Sequence, residues 1–378
     1  MLFKTAFRII IHEKEKFSGA VVGVALATFL MILQCGFYLG YQRDITVVVD
    51  SVDADLWIIP KNQPLFDGWD AMDDLPFYRM REHPDVERAA RLVWGYAPYR
   101  IPATGGKDTV EVLGVELDSG IALKMGLGRH DLDELLRPDG NILVGRKDRE
   151  KLGITTLGVD GIEIVGRKAT VVGLVDDVHL FTTAGFVLTD LDNARTFLRL
   201  PPNHASYFVC KCRPGADVDQ VVRDLRADFP EHDILTARAF HDRAANYWST
   251  RTGIGPVLML SAALATLVGF MIVMLAFYIS TVDKLPIFAC MKALGASSAE
   301  VVSILVFQVV IVFLIGCGLA GLGLHVALRF LEDTTISTVV TRQLVLAGVG
   351  TTAFCSALSS LLSIRKVINT DPGEAFRT

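Results

Sequence analysis

Histidines and carboxylates that could bind a metal ion are scattered along this chain of 378 residues. Five histidines of its central part match no spacing typical of zinc ligands: His130, His179, His204, His232 and His241. Asp176 and Asp177 stand close to His179, but adjacent carboxylates in a loop are usually solvated. We therefore predict no metal site.

Nucleophilic and phosphate-binding motifs are also missing from the sequence. There is no Gly-x-Ser-x-Gly, the turn that exposes a catalytic serine. A phosphate loop reads Gly-x-x-x-x-Gly-Lys-Ser/Thr. The chain's Gly-Gly-Lys, at 105–107, has Ile101 in place of the first glycine and Asp108 in place of Ser/Thr. The sequence thus predicts neither catalytic residues nor a cofactor of its own, so the chain is not an enzyme.

Cys210 and Cys212 would point to the same face of a strand, because side chains alternate along strands. A Cys-x-Cys disulfide is geometrically awkward, and six cysteines in a chain of this length do not form a disulfide scaffold. Burial in a core is the predicted role of this pair.

Four long stretches carry no charged residue. They contain 26, 31, 28 and 22 residues and lie between Lys16 and Arg43, Arg251 and Asp283, Glu300 and Arg329, and Arg342 and Arg365. A helix of about 20 apolar residues crosses a bilayer. The first stretch is too long for a signal-peptide core. The chain is therefore predicted to have four transmembrane helices. Separately, its net charge of −5 argues against a nucleic-acid binder, which would carry a basic surface.

Lysines and arginines near the helix ends set the expected orientation. With both termini in the cytoplasm, nine basic residues lie inside and six lie in the outer flanks. Residues 42–252 then lie outside, with 26 basic and 34 acidic residues. A long domain can be translocated regardless of its charge.

The outer segment has a mixed α and β pattern. Ser206–Cys212 is predicted as a strand, Ala216–Phe229 as a helix and Asp233–Thr236 as a strand, which together form a β-α-β unit. Arg43–Asp53 and Phe240–Arg251 contain no Pro or Gly, so both adjoining membrane helices are expected to extend outward as a stalk. The predicted fold class is a four-helix membrane protein with an α+β extracytoplasmic domain inserted between helices 1 and 2.

The expected segments follow from these patterns. They are a cytoplasmic amphipathic segment (1–16), helix 1 (17–41), the extracytoplasmic domain (42–252), helix 2 (253–282), a cytoplasmic loop (283–298), helix 3 (299–328), a short outer loop (329–342), helix 4 (343–364) and a cytoplasmic tail (365–378).

Small residues inside the four stretches indicate close helix packing, and the polar residues there bear on the transport mechanism. Gly36 and Gly40 are four residues apart, a spacing that lets helix backbones approach closely, either within the four-helix unit or across a dimer. Gln34, Gln308 and His325 make no chain of titratable groups, which weakens the case for a proton-coupled transporter.

The loop between helices 2 and 3 carries a recognisable sequence motif. Residues 291–297 read Met-Lys-Ala-Leu-Gly-Ala-Ser, which resembles the coupling region of the FtsX-like permease family. The tail Asp371-Pro372-Gly373-Glu374-Ala375 resembles the closing signature of the same family. Asp283-Lys284-Leu285-Pro286 departs from the Arg/Lys-Glu-Ile-Gly with which the family often opens this loop.

The resemblance covers essentially the whole chain. The four-helix layout matches MacB-type permeases, also called type VII ABC transporters, and Asp55–Pro60 and Tyr247–Gly255 look closest to the DevC-type branch. The resemblance implies that a separate ATPase docks on eight residues: Lys284, Ile287, Met291, Lys292, Leu294, Gly295, Ala296 and Ser297. It also assigns Asp371, Pro372, Glu374 and Ala375 to the family tail motif.

The function that this resemblance implies is the membrane subunit of an exporter. A homodimer in the bacterial inner membrane, with ATP bound by its partner ATPase, would transmit ATP binding and hydrolysis to the periplasmic domain by mechanotransmission. A periplasmic adaptor and an outer-membrane channel would complete a tripartite efflux assembly. The alternatives are a permease that extracts lipoproteins and a signalling permease that controls a cell-wall hydrolase.

Overall fold

The computed structural model describes residues 14–63, 66, 70–101, 105–124, 129–158, 161–175, 185–251, 253–331 and 337–368. The helices are α1 (Lys14–Asp44), α2 (Val47–Ser51), α3 (Leu75–Glu82), α4 (Arg129–Leu136), α5 (Leu191–Leu198), α6 (Val218–Asp228), α7 (Ala237–Thr250), α8 (Ile254–Val282), α9 (Leu285–Ala293), α10 (Ser298–Leu331) and α11 (Arg342–Ile368). The strands are β1 (Leu56–Pro60), β2 (Met72–Asp73), β3 (Val86–Arg100), β4 (Lys107–Val115), β5 (Asn141–Gly145), β6 (Gly161–Ile164), β7 (Arg167–Val175), β8 (Gly185–Asp190), β9 (His204–Ala205), β10 (Tyr207–Cys212) and β11 (His232–Thr236).

The chain divides into two units. One comprises residues 1–40 and 255–378, and the other comprises residues 41–254. Four helices of the described chain are long and apolar enough to cross a membrane, namely α1, α8, α10 and α11. The mixed α/β unit follows the first of them, so the predicted fold class is confirmed.

Helix α1 lies at the centre of the membrane unit. Half of its most apolar stretch is buried, against 17% for α8. Apolar burial gains little free energy in lipid, so close backbone approach must hold such helices together. Glycines of the other three spans lie against α1: Gly269 beside Ala27, Gly316 beside Val24 and Gly348 beside Ile32.

Polar side chains add hydrogen bonds between these helices. The Thr28 hydroxyl of α1 lies 3.0 Å from the Thr352 hydroxyl of α11 and donates to the Val24 carbonyl at 2.8 Å. Ser261 of α8 donates to Gln34 of α1 at 3.2 Å. Each such bond contributes about 0.6–2 kcal/mol in a membrane. The glycine contacts therefore centre on α1, whereas the hydrogen bonds also join other spans, as where Ser359 of α11 donates to the Met274 carbonyl of α8 at 2.9 Å.

Gly36 and Gly40 pack against a non-helical segment of the same chain, residues 337–340. The Val339 N–H donates to the Gly36 carbonyl at 3.1 Å. A Cβ on Gly40 would collide with the Ser337 carbonyl. Of the two readings that the glycine spacing left open, the structure shows contact within one chain, with residues 337–340 rather than with a second helix.

The other unit is built on a nine-stranded sheet with the order β11-β1-β10-β3-β4-β8-β5-β7-β6. Strand β6 also pairs with the end of β3, through Tyr99 and Ile164, so six strands close on themselves. The predicted β-α-β unit appears as β10, α6 and β11, and β1 lies between its two strands, antiparallel to both. It is thus a split β-α-β unit.

Each face of this sheet buries a separate apolar core. One core contains Ile58, Phe208 and Leu225, and the other is centred on Trp57, with its ring 5.3 Å from that of Phe240. The two faces differ because successive side chains of a strand point in opposite directions. Residues of β1 therefore supply both cores.

Cys210 and Cys212 are free and buried in the first of these cores. Hydrogen bonding between their thiols, together with burial, raises the pKa of Cys210, while the same bond lowers the pKa of Cys212. The structure agrees with the packing role predicted from their spacing.

The ends of this unit differ from each other. Helix α1 runs without a break to Asp44 and α2 follows at Val47. The expected continuous run from Phe240 into the second span is interrupted, because α7 ends at Thr250 and α8 begins at Ile254. Gly253, between them, has φ +77°, a left-handed conformation that does not continue a right-handed helix.

Replacing Gly40 by Ala is expected to destabilise the membrane unit by about 1–3 kcal/mol, because the new methyl group meets a backbone carbonyl that cannot rotate away. Thermal unfolding of the detergent-solubilised protein measures the change. The matched control is Gly318→Ala, since an added Cβ at Gly318 has nothing within 4 Å. Equal melting temperatures for the two variants would contradict the packing described for Gly40.

Candidate coupling site

Most residues that could do chemistry lie apart from one another in the structure. Among the described residues, no three His, Cys, Asp or Glu side chains are arranged to hold a metal ion. Asp176, Asp177 and His179 lie outside the described residues. His241 contacts the Asp50 carboxylate at 2.9 Å, which links α7 to α2. Gly105 and Gly106 lie in the connection between antiparallel β3 and β4 rather than ahead of a helix.

The segment between α8 and α10 contains a short, mainly apolar helix, α9. Lys284 precedes its first residue, and Pro286 lies in its first turn, where the missing N–H costs no hydrogen bond. Phe288 and Ala289 are buried, and Phe288 packs against Val301 and Ile304 of α10. The buried face of α9 thus fixes the helix on the membrane unit.

The opposite face of α9 is apolar and open. Ile287 is 37% exposed, Cys290 is exposed, and Leu294, just after the helix, is 89% exposed. These residues follow the i, i+3, i+7 spacing of one helix face. The prediction did not include Cys290, although this spacing would have revealed it. Leu294 is thus a large apolar side chain left exposed at the end of the helix.

The end of α9 is set by a defined hydrogen-bond pattern. Gly295 has φ +96°, which a glycine adopts without strain. The Gly295 N–H donates to the Lys292 carbonyl at 3.0 Å, and the Ala296 N–H donates to the Met291 carbonyl at 2.9 Å. This is a Schellman motif, which stops the helix and satisfies its last carbonyls. It also fixes the direction in which Leu294 points.

Ser297 begins α10 with a capping box. Its hydroxyl accepts from the Glu300 N–H at 3.3 Å, while the Glu300 carboxylate accepts from the Ser297 N–H at 2.9 Å. Two backbone donors at the start of the helix are satisfied in this reciprocal way. Both ends of the turn between α9 and α10 are therefore fixed.

The eight predicted coupling residues occupy three kinds of position. Ile287, Leu294, Gly295 and Ser297 are exposed, Met291, Lys292 and Ala296 are half-buried, and Lys284 is buried at 6% exposed. Met291 and Ala296 pack against the small core between α9 and α10. The tail residues Asp371, Pro372, Glu374 and Ala375 lie outside the described residues.

Two family profiles match the chain. The MacB-like periplasmic core domain matches residues 18–228, and the FtsX-like permease C-terminal domain matches residues 259–372. The first profile covers more than half of the chain and includes most of the unit formed by residues 41–254. The second profile lies within the membrane unit.

The chain belongs to the family of MacB-like, FtsX-like permeases. It is accordingly a membrane subunit of a type VII ABC transporter, a family whose permeases act as dimers with an ABC ATPase. The second profile contains α9, α10 and all but the first five residues of α8.

Solved structures with similarity to the chain include two extracytoplasmic domains. The periplasmic region of MacB from Actinobacillus actinomycetemcomitans is 10% identical, with a TM-score of 0.37, over 56% of this chain and 98% of that one. The extracellular domain of the noncanonic ABC-type transporter YknZ from Gram-positive bacteria is 12% identical, with a TM-score of 0.34, over 48% and 98%.

Replacing Ser297 by Ala is expected to cost about 1 kcal/mol, because the first turn of α10 loses its side-chain cap. Hydrogen exchange should accelerate at the backbone amides of residues 299–301 and remain unchanged in α11. Ser298→Ala, a change at the neighbouring position, is the control. Unchanged exchange in the Ser297 variant would show that the capping box does not protect this turn.

Proposed function

We propose that this permease receives its movement from a cytoplasmic ABC ATPase at the exposed face of α9 and transmits it to its extracytoplasmic domain. We call Ile287, Cys290 and Leu294 the docking face. The single observation that carries the proposal is the 89% exposure of Leu294 at the end of a helix whose other face is buried. An isolated exposed leucine needs no explanation, but one held by a fixed turn beside other exposed apolar groups marks a contact surface.

The orientation of the chain follows from this assignment. An ATPase acts in the cytoplasm, so α9 and both termini lie inside and residues 42–252 lie outside. The excess of basic residues, nine against six, in the segments assigned to the cytoplasm supports the same orientation. The protein is placed by this proposal in the bacterial inner membrane.

Polar contacts inside the membrane unit favour transmission of force over a proton path. Gln34 bonds to Ser261, and Thr28 bonds to Thr352, so these side chains connect neighbouring helices. Ionisable groups along a membrane path mark proton relays. The contacts given by Gln34 and Thr28 are between neutral groups and stiffen the bundle around α1. This supports mechanotransmission, with α1 carrying movement along its uninterrupted length.

The extracytoplasmic domain would then change shape on the far side of the membrane. We propose efflux in a tripartite assembly with a periplasmic adaptor and an outer-membrane channel, in the manner of the DevC-type branch. Mass spectrometry of the proteins that co-purify with the tagged permease tests this. An ATPase with an adaptor supports the assembly, whereas an ATPase with a lipoprotein carrier or a cell-wall hydrolase would replace efflux by one of the other two functions.

Replacing Leu294 by Asp is expected to abolish permease-stimulated ATP turnover. A carboxylate would be desolvated in an apolar contact, while the folded state is little affected because Leu294 is exposed. ATP hydrolysis by the co-purified ATPase, with and without permease in nanodiscs, measures the effect. Leu157→Asp is the control, since Leu157 is 41% exposed in the other unit. Stimulation that persists in the Leu294 variant would contradict the docking face.

Labelling of Cys290 tests both the side of the membrane on which α9 lies and the contact of α9 with the ATPase. It is the exposed cysteine among the six, so a membrane-impermeant maleimide should label it in inverted membrane vesicles and not in intact spheroplasts. Added ATPase should slow the labelling at least tenfold, because the docking face becomes covered. Cys290→Ser identifies the labelled position. Labelling in spheroplasts would contradict the orientation, and unprotected labelling would contradict the contact.

A further inference from the structure

Lys284 lies at the point where four helices of the membrane unit meet. The pocket around it is lined by Phe17 of α1, Phe277 of α8, Phe288 of α9 and Leu305 of α10. The side chain is only 6% exposed, which is unusual for lysine. Its position at the start of α9 therefore does not place it on the docking face.

The ammonium group joins two helices by hydrogen bonds. Lys284 Nζ donates to Gln308 Oε1 of α10 at 2.9 Å and to Ser280 Oγ of α8 at 3.2 Å. An ammonium group has only donors, so the amide oxygen of Gln308 must face it. Among the described residues, Nε2 of Gln308 then has no acceptor, although it is buried. Gln308 therefore bonds Lys284 through its amide oxygen, while its amide nitrogen is buried without an acceptor among the described residues.

The backbone of Lys284 is equally constrained. Only Asp283 and Lys284 separate α8 from α9. The Lys284 N–H donates to the Thr281 carbonyl at 3.1 Å, and its carbonyl accepts from the Phe288 N–H at 3.0 Å. One residue thus links α8 to α9 through its backbone and both to α10 through its side chain.

We infer that Lys284, Ser280 and Gln308 form a polar joint that makes α8 and α10 move together when α9 is displaced, so that Lys284 is a positioning residue for coupling and not a contact residue for the ATPase. This inference rests on the proposed function. A helix fixed by apolar packing alone can slide, whereas a buried hydrogen-bonded cation has one favourable position.

The test separates docking from coupling. In Lys284→Met, an apolar side chain of similar length fills the pocket and removes the hydrogen bonds. The Kd for the co-purified ATPase, measured by protection of Cys290, should stay within twofold of wild type. The maximal permease-stimulated kcat should fall at least fivefold. Gln308→Leu should behave in the same way, whereas Gln308→Glu, which keeps an acceptor for Lys284, should retain at least half of the stimulation.

Leu294→Asp is the contrasting variant, since it should weaken the Kd itself. A Lys284→Met protein with unaltered kcat, or one with a Kd weakened as in Leu294→Asp, would overturn the inference. Loss of the folded state in both Lys284→Met and Gln308→Leu, seen as loss of cooperative melting in detergent, would overturn it too, because the pair would then serve stability alone. Absence of any ATPase binding by the wild-type permease would overturn the proposed function and the inference together.

Discussion

Helices in a lipid bilayer gain little from burying apolar side chains against one another, because the lipid tails are equally apolar. The membrane unit therefore depends on close backbone approach and on hydrogen bonds between helices. The close backbone approach concentrates on α1, where Gly269, Gly316 and Gly348 of the other spans reach it. Thr28 adds a hydroxyl contact to α11. Helix α8, by contrast, keeps most of its apolar stretch uncovered.

The connection between α8 and α10 is likewise held by hydrogen bonds and by close packing. Here the connection has a helix, a Schellman motif and a capping box in direct succession, each with its backbone groups bonded. Phe288 packs this helix against α10. The turn between α9 and α10 therefore has a fixed conformation at both of its ends.

Sequence patterns predicted the features that depend on neighbouring residues. Uncharged stretches predicted the four spans, and helical spacing predicted α6. Contacts between distant residues were beyond such patterns. The insertion of β1 between β10 and β11 and the closure of β6 on β3 depend on long-range pairing. Burial of Lys284 was missed because lysine is usually exposed and its acceptor, Gln308, lies 24 residues away.

The glycines show why spacing alone does not determine a contact. Gly36 and Gly40 have the spacing of a helix-packing motif, yet their neighbours are Ser337, Thr338 and Val339, which lie outside any helix or strand. A helix surface without Cβ atoms admits any backbone, and a loop N–H can then bond a helix carbonyl that side chains would otherwise cover. Val339 does so at Gly36. The small residues specify that something approaches closely, and only the fold decides whether it is a helix, a loop or a second chain.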